Sequence, residues 1–253
     1  MKDPIIQTFE LSKVYKKSHL WKSKTTVGLS QVNLTIGKQE IFGLLGQNGA
    51  GKTTALKLIL GLLFPTQGSI HLFDRKMPDR ASIQKTGFVP EVPYFPKYLT
   101  VKEVLYFYGA LSGVSNSDLK SRSSEILQLM KMEEHQNKRV RECSKGMLQR
   151  LSLAQSLIHN PSLLVLDEPI TGLDPLGLNE MRDLIARLNA QGKTILFSSH
   201  ILAEVERIAH RVGILVDGKL VKVLEAKDWS SKSGALEEIY IDTVRQYGVT
   251  DSL

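Results

Sequence analysis

Eight residues, Gly46-Gln47-Asn48-Gly49-Ala50-Gly51-Lys52-Thr53, limit what this chain can fold into more than any other stretch. They fit the pattern G-x-x-x-x-G-K-[ST]. An apolar β-type run, Glu40 to Leu45, precedes them, and an amphipathic segment, Thr53 to Leu63, follows. Leu56, Ile59, Leu60 and Leu63 fall at i, i+3, i+4 and i+7, the spacing of one buried helix face. In a strand, glycine turn and helix of this kind, successive backbone N–H groups wrap a polyphosphate. The helix N-terminus adds positive potential. Glycine supplies the backbone conformations the wrap needs. Lys52 then reaches the outer phosphates, and Thr53 offers a hydroxyl to Mg²⁺.

A second stretch bears on the same chemistry. Leu163-Leu164-Val165-Leu166 reads as a buried strand, and Asp167-Glu168 follow directly. Adjacent like charges repel, and burial sharpens the repulsion. A cation or a proton-transfer task can hold them there. Asp167, at the strand end, suits Mg²⁺ beside the glycine loop. Glu168, one residue further out, suits the orientation and deprotonation of a water attacking a terminal phosphorus. The bland alternative is a helix-capping Asp beside a solvated Glu.

Strand signals also appear at Val32 to Ile36, Ser69 to Phe73, Thr86 to Val89 and Thr194 to Phe197. Val212 to Val216 and Lys219 to Val223 flank Asp217-Gly218, a favoured hairpin turn. Helix signals cover Leu119 to Met132, Ser144 to Ile158 and Leu178 to Leu188. Thr100-x-x-Glu103 is a capping box ahead of Val104 and Leu105. Strands alternating with helices imply an α/β fold with a mostly parallel sheet. The helical stretch from about 92 to 158 interrupts the alternation and reads as an inserted subdomain.

Composition narrows the function classes. Among 253 residues the single cysteine, Cys143, excludes an internal disulfide and suits a reducing compartment. It reads as a packing residue. No apolar stretch approaches the roughly 20 residues that span a bilayer, and the first residues lack the apolar segment of a secretory signal. Net charge is +7, with dense clusters at Lys16 to Lys24 and Lys138-Arg139-Arg141. No interleaved aromatics accompany them, so nucleic acid is not the expected partner.

With these motifs in order, the chain resembles the ATP-binding subunit of an ABC transporter from about Phe9 to Val223. Gly46 to Thr53 resembles the Walker A loop, and Leu163 to Glu168 resembles Walker B with its following glutamate. Gly172-Leu173-Asp174 is similar to the D-loop. His200 resembles the switch histidine, and Tyr15 occupies the place of the aromatic that stacks on adenine; packing without nucleotide is the rival role for Tyr15. Cys143-Ser144-Lys145-Gly146-Met147 stands where the family usually has LSGGQ. It keeps the hydroxyl and the unhindered glycine that a phosphate can meet at a helix start. Glu91 stands where the family often has Gln. Both departures resemble the branch that exports drugs and polysaccharides with a separate membrane subunit, as does Leu236-Glu237-Glu238.

The resemblance implies a RecA-like P-loop NTPase fold over 1–225, with an antiparallel β subdomain, the helical insertion and a C-terminal extension over 226–253. It implies ATP and Mg²⁺ as ligands. Catalysis falls to Glu168, His200 and Lys52; metal contact falls to Thr53, Asp167 and Glu91. Nucleotide contact falls to Tyr15, Gly46 to Thr54, Ser144, Lys145, Gly146 and Asp174. The rival role for Asp174 is to cap the helix after it, and the two are compatible. It also implies a head-to-tail homodimer, or a pair with a related subunit, formed on ATP. The partner implied is a polytopic permease, at the cytoplasmic face of the membrane. Tyr94, Phe95, Tyr98 and Leu99 are candidates for the docking groove. The basic residues 16–26 read as an insertion before the next strand. Two rival functions are an ABC-type ATPase acting on nucleic acid or the ribosome and a non-transport ATPase of envelope machinery.

Overall fold

The computed structural model describes residues 3–19 and 22–248. It opens with two long antiparallel strands, β1 (Pro4–His19) and β2 (Lys22–Gly37), then β3 (Ile41–Leu45), the glycine loop and α1 (Lys52–Ile59). Next come β4 (Gln67–Leu72), β5 (Arg75–Lys76), α2 (Arg80–Ile83) and β6 (Thr86–Val89). Three helices follow: α3 (Val101–Leu111), α4 (Asn116–Leu129) and α5 (Lys145–Leu157). The chain then alternates β7 (Leu163–Leu166), α6 (Pro175–Ala190), β8 (Thr194–Ser199) and α7 (Leu202–Ile208). It closes with β9 (Arg211–Val216), β10 (Lys219–Glu225) and α8 (Ala235–Tyr247).

The central sheet has the order β10-β9-β3-β8-β7-β6. Its strands pair in parallel except β10, which returns antiparallel on β9. β3, β7 and β8 are buried at every position, as a parallel sheet covered on both faces requires. Alternation divides their side chains. Phe42, Leu44, Leu163, Val165 and Leu196 face a core shared with α1 and a second sheet, ordered β2-β1-β4-β5. Ile41, Leu45, Leu164, Leu166, Ile195 and Phe197 face the other core, which α3 to α8 cover. The segment α3–α5 enters between β6 and β7, which are direct neighbours in the sheet.

Several sequence readings need correction. α1 ends at Ile59 rather than Leu63, because Gly61 takes φ +68° and the chain turns. Residues 16–26 are no insertion before a strand. They continue the β1–β2 ladder, pairing Lys16 with Thr25, Lys17 with Lys24 and His19 with Lys22; Leu20 and Trp21 lie outside the described residues. Of the four groove candidates, Tyr94 and Phe95 line one groove, where Phe95 is 5% exposed and packs edge-on against Tyr108, whereas Tyr98 and Leu99 are not part of its lining. Tyr94 and Tyr98 are exposed. The capping box is present, with Thr100 and Glu103 answering each other's backbone N–H. Within 226–253, α8 buries Ala235 and Leu236 in the same core as α7; residues 249–253 lie outside the description.

His159, just past α5, places Nε2 3.2 Å from the Thr86 carbonyl. Burial holds its ring below the ordinary value of 6.5; the Thr86 bond opposes this weakly, and Lys193 and Arg122 add to it. The unfolded chain therefore takes up this proton first. Its contribution is complete above about pH 6.5 and is lost as pH falls through the folded value. A His159→Leu variant should show a shallower fall in urea midpoint between pH 7 and about 5.5 than the parent chain.

Candidate nucleotide site at the sheet edge

Three strand ends meet at one edge of the central sheet: β3 with the glycine loop, β8 with His200, and β7 with Asp167 and Glu168. β8 lies between the other two. Gly49 and Gly51 adopt φ +88° and +105°. A Cβ at Gly51 would stand 2.5 Å from the Gly28 carbonyl, so the position admits no side chain. Gly51 caps α1 without a side-chain hydrogen bond, which leaves the first N–H groups of the helix free for an anion.

Lys52 does not project into solvent. Its ammonium donates to the Gly46 carbonyl at 2.7 Å and pairs with Glu168 Oε1 at 3.2 Å, and both side chains are nearly fully buried. Glu168 Oε2 accepts from Thr171 Oγ1 at 3.0 Å and lies 2.8 Å from His200 Nδ1. A carboxylate only accepts, so Nδ1 carries the hydrogen. Asp167 turns to other partners. Its Oδ1 accepts from Ser198 Oγ at 2.7 Å and from Thr53 Oγ1 at 3.3 Å. Glu168 sits at φ +50°, an uncommon region for a non-glycine residue. The two adjacent acids thus coexist because each has its own set of donors.

Lys52, Thr53, Glu168, Thr171 and His200 line a cavity of about 620 Å³ with Tyr15, Thr26, Gly28, Gln47, Asn48, Thr54 and Glu91, and the buried Asp167 reaches it through its bond from Thr53. Tyr15 is half-buried: its hydroxyl lies 3.2 Å from Thr54 Oγ1, and its ring edge fills the space a Gly28 side chain would take. Ala50 is buried behind the loop and accepts from Gly218 N–H. Glu91 is exposed at the cavity wall. For a metal, the donors at hand are Thr53 Oγ1 and Asp167 Oδ1, both hard oxygens. Among the described residues no three acids, histidines or cysteines cluster for a metal. Such a donor set suits Mg²⁺ that takes its remaining ligands from phosphate and water.

The remaining predicted residues stand elsewhere. Ser144, Lys145, Gly146 and Asp174 line a separate cleft of about 480 Å³. Ser144 Oγ caps α5 through Met147 N–H, and Asp174 Oδ1 caps α6 through Gly177 N–H. The ammonium of Lys145 lies against Gly172, where a Cβ would approach it to 2.0 Å. One chain therefore does not bring these groups to the glycine loop.

A family model described as ABC transporter matches residues 29–171, more than half of the chain. The chain belongs to this family. It is 45% identical over 219 residues to an uncharacterized ABC transporter ATP-binding protein of Nostoc sp., a match covering 86% of this chain but 65% of that relative's length. It is 40% identical over 222 residues to the bacitracin transport ATP-binding protein BcrA of Enterococcus faecalis, covering 86% of this chain and 68% of BcrA. Among solved structures, a dimeric ATP-binding cassette in a post-hydrolysis state with ADP and Pi superposes with TM-score 0.79 at 25% identity. That match covers 87% of this ABC chain and 98% of the other.

Sequence reasoning passed over Ser198. Its hydroxyl accepts from Glu168 N–H at 2.9 Å while donating to Asp167, so it fixes both acids. The only signal was the serine pair before His200. Ser198→Ala leaves a buried N–H unanswered, at a cost of about 1–3 kcal/mol. The expected result is a lower urea midpoint and a higher Mg²⁺ requirement for nucleotide binding.

Proposed function

We propose that this ABC chain hydrolyses Mg²⁺-ATP and that the hydrolysis drives a separate membrane permease, as an exporter subunit at the cytoplasmic membrane face. The observation that carries this reading is the meeting of Lys52, Glu168 and His200 at the glycine-loop cavity, with Asp167 bonded to Thr53 at its edge. BcrA, by its name a bacitracin transport protein, supports the transport assignment. Among the described residues no helix is long and apolar enough to cross a membrane; the permease is proposed as another chain on the resemblance to exporters with a separate membrane subunit.

The triphosphate lies along Gly46 to Thr54, with the backbone N–H groups of the loop and the start of α1 as donors. Tyr15 offers a ring face at the mouth of the cavity for the adenine. Thr53 and Asp167 would hold Mg²⁺, which would supply positive charge against the phosphates; Glu91 lines the same cavity. Lys52 exchanges Glu168 for the outer phosphates. The carboxylate so released takes a proton from the attacking water. His200 and Thr171 keep that carboxylate aimed. Ser144, Lys145, Gly146 and Asp174 form the second half of the site, supplied by a second copy or a related subunit. Their separate cleft favours pairing, because a phosphate held by one loop leaves them nothing to bind within the same chain. The exposed Tyr94 lines the groove proposed for the permease.

Two variants test the assignment. Lys52→Ala should abolish ATP binding in equilibrium dialysis. Glu168→Gln should bind ATP, lower turnover by about 10²–10⁴-fold, and elute as a dimer with ATP in gel filtration. Normal turnover in Glu168→Gln removes Glu168 as the base.

A further inference from the structure

A groove of about 510 Å³ separates the three-helix insertion from the edge of the central sheet. Its walls are apolar: Phe88, Pro93, Tyr94, Tyr108 and Leu111. Its floor is not. Ser152, Gln155 and His159 lie along one side of α5 and its continuation, and all three line the groove. Ser152 Oγ and His159 Nδ1 are buried without a hydrogen-bond partner. They make up two of the four buried side-chain polar atoms in that condition among the described residues. Such atoms are rare because each forfeits its hydration. Two beneath one groove ask for a common cause.

The chemistry of the pair is defined. A carbonyl only accepts, so His159 Nε2 carries the hydrogen directed at Thr86. Burial keeps the ring neutral at pH 7. Nδ1 is then a lone pair lacking a donor. The Ser152 hydroxyl can both donate and accept. At the rim, Arg80 is exposed and is the one fully charged side chain lining the groove; among the described residues it makes no ion pair.

We propose that the groove selects an apolar helical segment of the membrane partner bearing one neutral hydrogen-bond donor, a hydroxyl or carboxamide, for Ser152 and His159, and a carboxylate for Arg80. This rests on the docking reading above and names what that docking recognises. A wholly apolar segment leaves both floor atoms unanswered. A cationic one meets Arg80 and no acid. The floor atoms lie just below the surface, so the occupant seats by pressing the floor open. That loss of freedom is repaid only when its donor reaches them.

The test uses the full chain and urea-stripped inverted membrane vesicles from its source cells, which keep the integral partner. Binding is titrated for the parent chain, Ser152→Ala/His159→Phe, Arg80→Glu and Tyr94→Glu. Without vesicles, Ser152→Ala by itself should be at least as stable as the parent, because its unanswered hydroxyl is gone, whereas the double variant also gives up the bond from His159 Nε2 to the Thr86 carbonyl. The double variant should keep the basal ATPase rate yet bind the vesicles about tenfold more weakly. Arg80→Glu should also weaken binding, with a difference that shrinks at high salt; unchanged binding removes the carboxylate. If Tyr94→Glu loses binding while the double variant binds as the parent does, docking stands and the polar selection falls. A Ser152→Ala variant less stable than the parent shows that the floor hydroxyl is already satisfied, by water, and overturns the proposal. If neither Tyr94→Glu nor the double variant weakens binding, the groove is not the docking site and both readings fall.

Discussion

The buried pair of Lys52 and Glu168 is the contact around which this molecule is organised. Two charges 3.2 Å apart at about 6% exposure stand only because each neutralises the other. Lys52 belongs to the loop after β3, whereas Glu168 follows β7. The pair therefore ties strand ends that are not neighbours, across β8 between them. β8 adds its own tie, since Ser198 holds both the Asp167 carboxylate and the Glu168 N–H. The sheet order is thus a condition of the chemistry. With any other strand between β3 and β7, neither Ser198 nor His200 would stand where it does.

The two cores explain why this edge is rigid. Strict alternation along β3, β7 and β8 sends successive side chains into opposite cores. A slip of one residue would exchange the two sets. That register carries the loop geometry at the strand ends with it. The same rigidity separates the glycine loop from the Ser144 cleft. α5 and α6 are anchored by their own caps and by Gln149, which donates to the Pro169 carbonyl. Closing the distance within one chain would break those anchors; on the proposed pairing a second chain brings the two together without breaking any.

The sequence showed the glycine loop, the paired acids and His200 because their chemistry leaves few choices of residue. The capping box of α3 and the Asp217-Gly218 hairpin were legible for the same reason: local geometry demands particular side chains. Elements fixed by distant partners were not legible. The lysine-rich residues 16–19 and 22–26 have low strand propensity, and only the β1–β2 ladder makes them strand. Phe95 lies beside two exposed tyrosines in sequence, and nothing local says that it turns inward. Ser198 reads as one more strand residue until the neighbouring acids are placed beside it. α8 followed a reading that ended at the hairpin, although its apolar residues complete the core over α7.

On the proposed reading, the order of events is built into the resting geometry. Lys52 cannot neutralise Glu168 and hold a phosphate with the same strength, because one ammonium has a limited set of donors and one position. A triphosphate in the loop competes for that ammonium with more charge than one carboxylate offers. Its arrival frees Oε1, while Thr171 and His200 still hold Oε2. The base is therefore masked when no nucleotide is present and aimed when one is. A backbone restraint lies at the same point: Glu168 sits at φ +50°, uncommon for a non-glycine residue, while Lys52, Thr171 and His200 hold its side chain. Loss of Lys52 as a partner loosens that restraint, and the segment after Glu168 leads through Pro169 to Asp174 at the second cleft. Nucleotide occupancy at the loop and the disposition of that cleft are consequently linked through eight residues of one chain, from Glu168 to Pro175.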